Sequence, residues 1–154
     1  MRVKRPQALL AALLLSASAV AHAADTDAEF RLNEVLTDEE YRETWQELVE
    51  DELRLPEWVM NLTGKGAPMK AVESKDGKYL VGRLCDEHDC FHQRLYVAFS
   101  WDKDKVYALY VQVPQGMPAD KTPSRHASFR WLGEPDEEQK RLLDEQLSAD
   151  PDWH

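Results

Sequence analysis

The chain has only two cysteines, Cys85 and Cys90, among 154 residues. A multi-disulfide scaffold and a four-thiolate metal site are therefore both excluded. Glycine is sparse, with six residues. The two in Thr63-Gly64-Lys65-Gly66-Ala67-Pro68 do not make a phosphate cradle, because no lysine-serine pair follows and no predicted strand leads in. Positive charge is in short supply: 19 Lys and Arg face 29 Asp and Glu, for a net −10. Such a chain repels nucleic acid and anionic lipid and attracts basic partners. The long apolar run from Leu9 to Val20 is too short to span a bilayer. No serine elbow and no metalloprotease helix motif occurs, so the common hydrolase signatures are missing.

What is present begins with an export signal. Arg2, Lys4 and Arg5 precede the apolar run, and Ala21-His22-Ala23 is a small-x-small cleavage pattern. Residues 1–23 are expected to be a cleaved signal peptide, leaving 24–154 as one domain without a membrane span. No cysteine near the cleavage point offers a lipid attachment site. Loss of three basic residues lowers the formal charge from −10 to −13.

Residues 24–34 are polar and expected to be loose. Thr37-Asp38-Glu39-Glu40 fits a capping box, with Thr37 as N-cap and Glu40 three residues on. Tyr41, Trp45, Leu48 and Val49 then recur at helical spacing, and Leu55-Pro56 should end that helix. A short helical piece is expected from Pro56. Strands follow at Met69–Glu73, Lys78–Leu84, Leu95–Trp101, Val106–Val113 and Ala127–Leu132. Asp76-Gly77 marks a tight turn, and Asp102-Lys103-Asp104-Lys105 reads as a solvated hairpin tip. A proline-rich loop covers 114–123. Pro135 opens an acidic helix with Leu142, Leu143 and Leu147 on one side, stopped at Asp150-Pro151. This predicts an α+β domain, a central antiparallel sheet of about five strands flanked by helices.

One stretch concentrates chemistry: "LCDEHDCFH", residues 84–92. In an exported protein two cysteines are expected as a pair. A Cys85–Cys90 bond would close a small ring around Asp86-Glu87-His88-Asp89 and hold His88 at the apex of a hairpin before any partner arrives, which lowers the ordering cost of binding. Cys85, His88, Cys90 and His92 are also zinc-ligand types, so a Cys/His metal-binding module stays open on the residues alone. So does a plain disulfide-closed surface turn. Catalysis fits poorly, since adjacent His88 and Asp89 side chains diverge and the cysteines lack redox C-x-x-C spacing.

Leu55-Pro56-Glu57-Trp58-Val59-Met60 resembles the LPxWV segment of the Ivy family, inhibitors of vertebrate (c-type) lysozyme in the periplasm of Gram-negative bacteria. Cys85 to Cys90 resembles that family's C-K-P-H-D-C loop. Gln93–Trp101 and Ala127–Gly133 match in kind and order. The resemblance implies an antiparallel sheet with packed helices, a periplasmic location, a c-type lysozyme (a basic glycoside hydrolase) as partner, no cofactor or metal, and no enzymatic activity. It also implies that the loop of Asp86, Glu87, His88 and Asp89, clamped by Cys85–Cys90, plugs the lysozyme cleft with His88 between the two catalytic carboxylates. Asp86-Glu87 stand where the family has Lys-Pro. A binding protein for the cell's own lytic transglycosylase is the alternative within this class; either a monomer or a homodimer is compatible.

Overall fold

The computed structural model describes residues 30–116, 122 and 125–153. The expected signal peptide lies outside the described residues, as do positions 117–121 and 123 of the proline-rich loop and position 124 after it.

A 3-10 helix at Leu32–Thr37 leads into α1 (Glu39–Glu50), and a single turn, α2 (Glu57–Met60), follows. Six strands come next: β1 (Lys65–Gly66), β2 (Lys70–Ser74), β3 (Gly77–Cys85), β4 (Gln93–Ser100), β5 (Val106–Gln112) and β6 (Ser128–Leu132). The last helix, α3, spans Glu137–Ser148. All strand pairs are antiparallel, in the order β1-β3-β4-β5-β6. Strand β2 shares with β1 the outer edge of β3: it pairs along the Gly77–Val81 half, and β1 pairs at Leu84 and Cys85. The two-residue β1 is the strand that hydrophobic patterning could not reveal, because its residues are Lys65 and Gly66.

The sheet carries helices on both faces. Alternate residues of a strand point to opposite sides, and β4 uses both: Leu95, Val97 and Phe99 pack with Trp45, Val59 and the 3-10 helix, whereas Tyr96 and Ala98 pack with Leu142, Leu143 and Leu147 of α3. Arg94 through Phe99 are all buried, which explains why this strand reads as a nearly continuous apolar run. Trp45 Nε1 donates to the Met60 carbonyl at 2.9 Å, tying α1 to α2.

Four expectations are revised. Residues 30–34, the described part of the 24–34 stretch expected to be loose, are ordered: Leu32 is fully buried, as is Val35, one 3-10 turn on, a period that aligns i with i+3. The N-cap of α1 is Asp38, not Thr37. Its carboxylate accepts from the N–H groups of Glu40 and Tyr41 at 3.0 and 3.2 Å and pairs with Lys103 at 2.8 Å. An anion satisfies two orphan donors and draws a cation; the Thr37 hydroxyl instead donates back to the Glu34 carbonyl. Helix α1 stops at Glu50, short of Leu55-Pro56. The hairpin tip at 102–105 is also more than a solvated turn, since Lys103 bridges to Asp38 and Glu40 and sits 4.7 Å from the Tyr41 ring.

Candidate functional site

Strand β3 ends at Cys85, paired across the sheet with Arg94 at the start of β4. Residues 86–92, between the end of β3 and the start of β4 at Gln93, hold most of the cluster noted in the sequence. Cys85 and Cys90 are joined, with Cα atoms 4.8 Å apart. The bond uses up both thiolates, and among the described residues no His/Cys/Asp/Glu group is arranged to hold a metal ion. The Cys/His metal-binding module is thereby set aside.

Inside the ring the chain makes a tight turn. The Asp86 carbonyl accepts the Asp89 N–H at 2.9 Å, and the Asp86 carboxylate accepts the His88 N–H at 3.1 Å. This is the side-chain-to-backbone mimic of a turn that Asp makes readily. Glu87 and His88 are exposed at its tip. Asp86 therefore organises the apex, a job that its position among the loop residues did not reveal.

Asp89 does something different from its neighbours. Its side chain turns back onto the scaffold, where Oδ1 meets His92 Nδ1 at 2.5 Å and Oδ2 accepts from Gln115 Nε2 at 2.7 Å. Burial pushes this carboxyl up, but the bonds from His92 and Gln115 outweigh it and hold Asp89 below the ordinary carboxylate range. With both oxygens engaged, Asp89 is a brace for the loop. Gln115 is a residue that sequence reasoning missed, and His92, read there only as a zinc-ligand type, braces Asp89 instead; the one signal available for that role was the spacing of three between Asp89 and His92.

Beneath the brace, the His92 carbonyl accepts the Val113 N–H at 2.8 Å, and Gln93 Oε1 accepts from the Tyr110 hydroxyl at 2.7 Å and from Trp58 Nε1 at 3.4 Å. Trp58 thus reaches from α2 to the base of the hairpin. Phe91, about one-third exposed, lies edge-on to the His92 ring. Glu87 borders an open depression that also contains Arg31, Asn33 and Lys65, so its charge sits near cations of its own chain.

Gly64 and Gly66, which the sequence does not make a phosphate cradle, serve close packing. A Cβ on Gly64 would lie 2.0 Å from the Cys85 carbonyl oxygen, and one on Gly66 would lie 2.2 Å from Asn33 Oδ1. Only glycine lets the chain just before β1 approach the clamped end of β3, and β1 approach Asn33 of the 3-10 helix, this closely.

The fold and the site together define an α+β protein with a disulfide-closed, braced histidine loop at one end of its sheet. The chain belongs to the family of inhibitors of vertebrate lysozyme (Ivy), whose sequence profile matches residues 40–149. It is 36% identical to the inhibitor of vertebrate lysozyme of Pseudomonas aeruginosa strain PAO1 over 147 residues, 94% of this chain and 95% of that one. It is 60% identical over 149 residues to an uncharacterised protein of the same strain, covering 95% and 96% of the two chains. An uncharacterised Yersinia pestis protein is 37% identical over 78% of each chain. Family and named relative together support a role as a lysozyme inhibitor. Among the described residues no helix is long and apolar enough to cross a membrane.

Proposed function

We propose that this protein is a non-catalytic inhibitor of c-type lysozyme in the periplasm, exported by residues 1–23, and that the Cys85–Cys90 loop enters the lysozyme cleft. His88 is the residue that meets the two catalytic carboxylates. Asp86 and Glu87 flank it, and Asp89 holds the loop from behind. The observation that carries this reading is an exposed histidine on a turn closed by a disulfide and fixed by hydrogen bonds on both sides.

The chemistry suits the target. A lysozyme of this class uses one carboxylic acid of raised pKa and one ionised carboxylate. A protonated imidazole has donors on both sides of its ring, so a single side chain can bind both groups. The acid is then unavailable to protonate the glycosidic oxygen, and the sugar subsite is filled. Because the turn is fixed beforehand, little conformational freedom remains to be lost on insertion.

The test is a turbidity assay with Micrococcus-type cell walls, a c-type lysozyme and the purified protein. Lysis should stop as the protein approaches equimolar with the enzyme. Undiminished lysis in the presence of a large molar excess would overturn the proposal.

A further inference from the structure

Residues 86–92 carry one large apolar side chain among their charged and polar ones, Phe91. It stands outside the disulfide ring, directly after Cys90, and is 37% exposed. Its neighbours hold it in place. Before it, Cys90 is bonded to Cys85. After it, the His92 N–H donates to the Asp89 carbonyl at 3.2 Å, and the His92 carbonyl accepts the Val113 N–H at 2.8 Å. The Phe91 and His92 rings meet edge-on, with centroids 4.9 Å apart and planes at 85°. That support is itself fixed, because the His92 ring is bonded to the Asp89 carboxylate. Other exposed aromatic rings are placed differently: Trp101 lies beyond the far end of β4 with Lys78 Nζ 3.9 Å from its ring, and Phe129 packs against Trp153.

An exposed aromatic ring on a rigid base is well suited to anchor an interface, since it offers a large contact area and has little freedom left to lose. The chemistry of the partner says what such a ring meets. The catalytic acid of this enzyme class owes its raised pKa to an apolar pocket. An apolar wall therefore borders the carboxyl group that His88 approaches. Phe91 follows His88 by three residues, so their Cα atoms are at most about 11 Å apart. Asp86 and Glu87 lose hydration on entering such a site. Phe91 gains from the same exclusion of water.

We propose that Phe91 is a second lysozyme-binding residue, which lays its exposed ring against the apolar wall beside the catalytic acid. The inference rests on insertion of the Cys85–Cys90 loop, the reading given under the proposed function. It adds a determinant of specificity: the apolar lining of the cleft, and not only its two carboxylates, selects the lysozymes that this protein binds.

The experiment compares dissociation constants with a c-type lysozyme for the parent, His88→Ala and Phe91→Ala at one ionic strength. In parallel, the four phenylalanines are replaced by para-fluorophenylalanine, and the signal of residue 91 is assigned by its loss in Phe91→Leu. Its fluorine shift is read in light and heavy water, free and with saturating lysozyme. Phe91→Ala should bind about tenfold more weakly, as for an aromatic anchor, and melt close to the parent. The fluorine signal of residue 91 should depend on the solvent isotope when free and lose that dependence in the complex. A Phe91→Ala variant with the parent's dissociation constant overturns the proposal even where His88→Ala weakens binding. So does a fluorine signal that keeps its solvent dependence in the complex, since any loss in Phe91→Ala then acts through His92 and the brace. If His88→Ala itself binds like the parent, insertion of the loop is what fails, and the role of Phe91 falls with it.

Discussion

At the residue scale, the loop divides its labour between residues that look alike in the sequence. Asp86 and Asp89 are both acids beside His88, yet one shapes the apex and the other anchors it. On the proposed insertion, Asp86 would bring a negative charge near a cleft that holds two carboxylates, while its carboxylate also fixes the turn. Two substitutions separate these effects. Asp86→Asn keeps the acceptor and removes the charge, so its affinity for a hen-type lysozyme should equal or exceed the parent's. Asp86→Ala removes both and should bind more weakly than Asp86→Asn, by about 1 kcal/mol, the size of one lost hydrogen bond. Dissociation constants at one ionic strength check this; equal constants for the two variants would mean that the Asp86 turn contributes nothing. The brace has a pH signature. Asp89 is held below its ordinary value of 3.8 in the folded protein. A lowered acid stabilises above its unfolded pKa, and that stability is lost as pH falls from about 3.8 through the folded value. Amide signals of residues 86–92 should therefore lose protection in that acid range ahead of the sheet. His92→Ala should show the same loosening already at neutral pH.

At the scale of elements, the loop depends on pieces that bring its ends together. The disulfide closes so short a ring that its chain-entropy contribution is only about 2 kcal/mol. Cys85→Ser with Cys90→Ser should then leave the far-UV spectrum nearly unchanged while weakening lysozyme binding; a collapsed fold would make the bond a general staple instead. The 3-10 helix has the opposite weighting. Leu32 is wholly buried, and its Cβ lies 3.2 Å from where a Cβ on Gly82 would be. Leu32→Ala should cost roughly 2–5 kcal/mol in a denaturant melt, against about 1 kcal/mol for removing the α1 cap with Asp38→Ala. Long elements were legible from the sequence: α1 and α3 announce themselves by helical period, and β3, β4 and β5 by runs rich in apolar and β-branched residues. The 3-10 helix and β1 were not, because a six-residue helix with two buried side chains and a two-residue strand of lysine and glycine carry no detectable period. The cap moved by one residue because Lys103, distant in sequence, rewards a carboxylate over a hydroxyl.

At the scale of the whole molecule, acidity and loop work in sequence. A net charge of −10, or −13 once residues 1–23 are removed as proposed, would speed encounter with a basic enzyme, and exposed charges are screened by salt. The association rate with a basic lysozyme should fall as salt rises, with a smaller change in the dissociation rate; a salt-independent association rate would reduce the acidity to a solubility device. The place of the candidate site was legible, since two cysteines bracketing a histidine stand out in any composition. Its supports were not: Gln115 comes from beyond β5, Trp58 from α2, and no local pattern links either to the loop.

The most direct test of the central claim is the dissociation constant of His88→Ala with a c-type lysozyme, measured beside the parent at one ionic strength. His88 is exposed at the loop tip, and its side chain takes no part in the hydrogen bonds that fix the turn, so the variant should melt like the parent. The account predicts a loss of affinity of about 2 kcal/mol or more, as for a residue at the centre of an interface. A variant that melts like the parent and binds lysozyme equally well would contradict insertion of His88 as the mechanism.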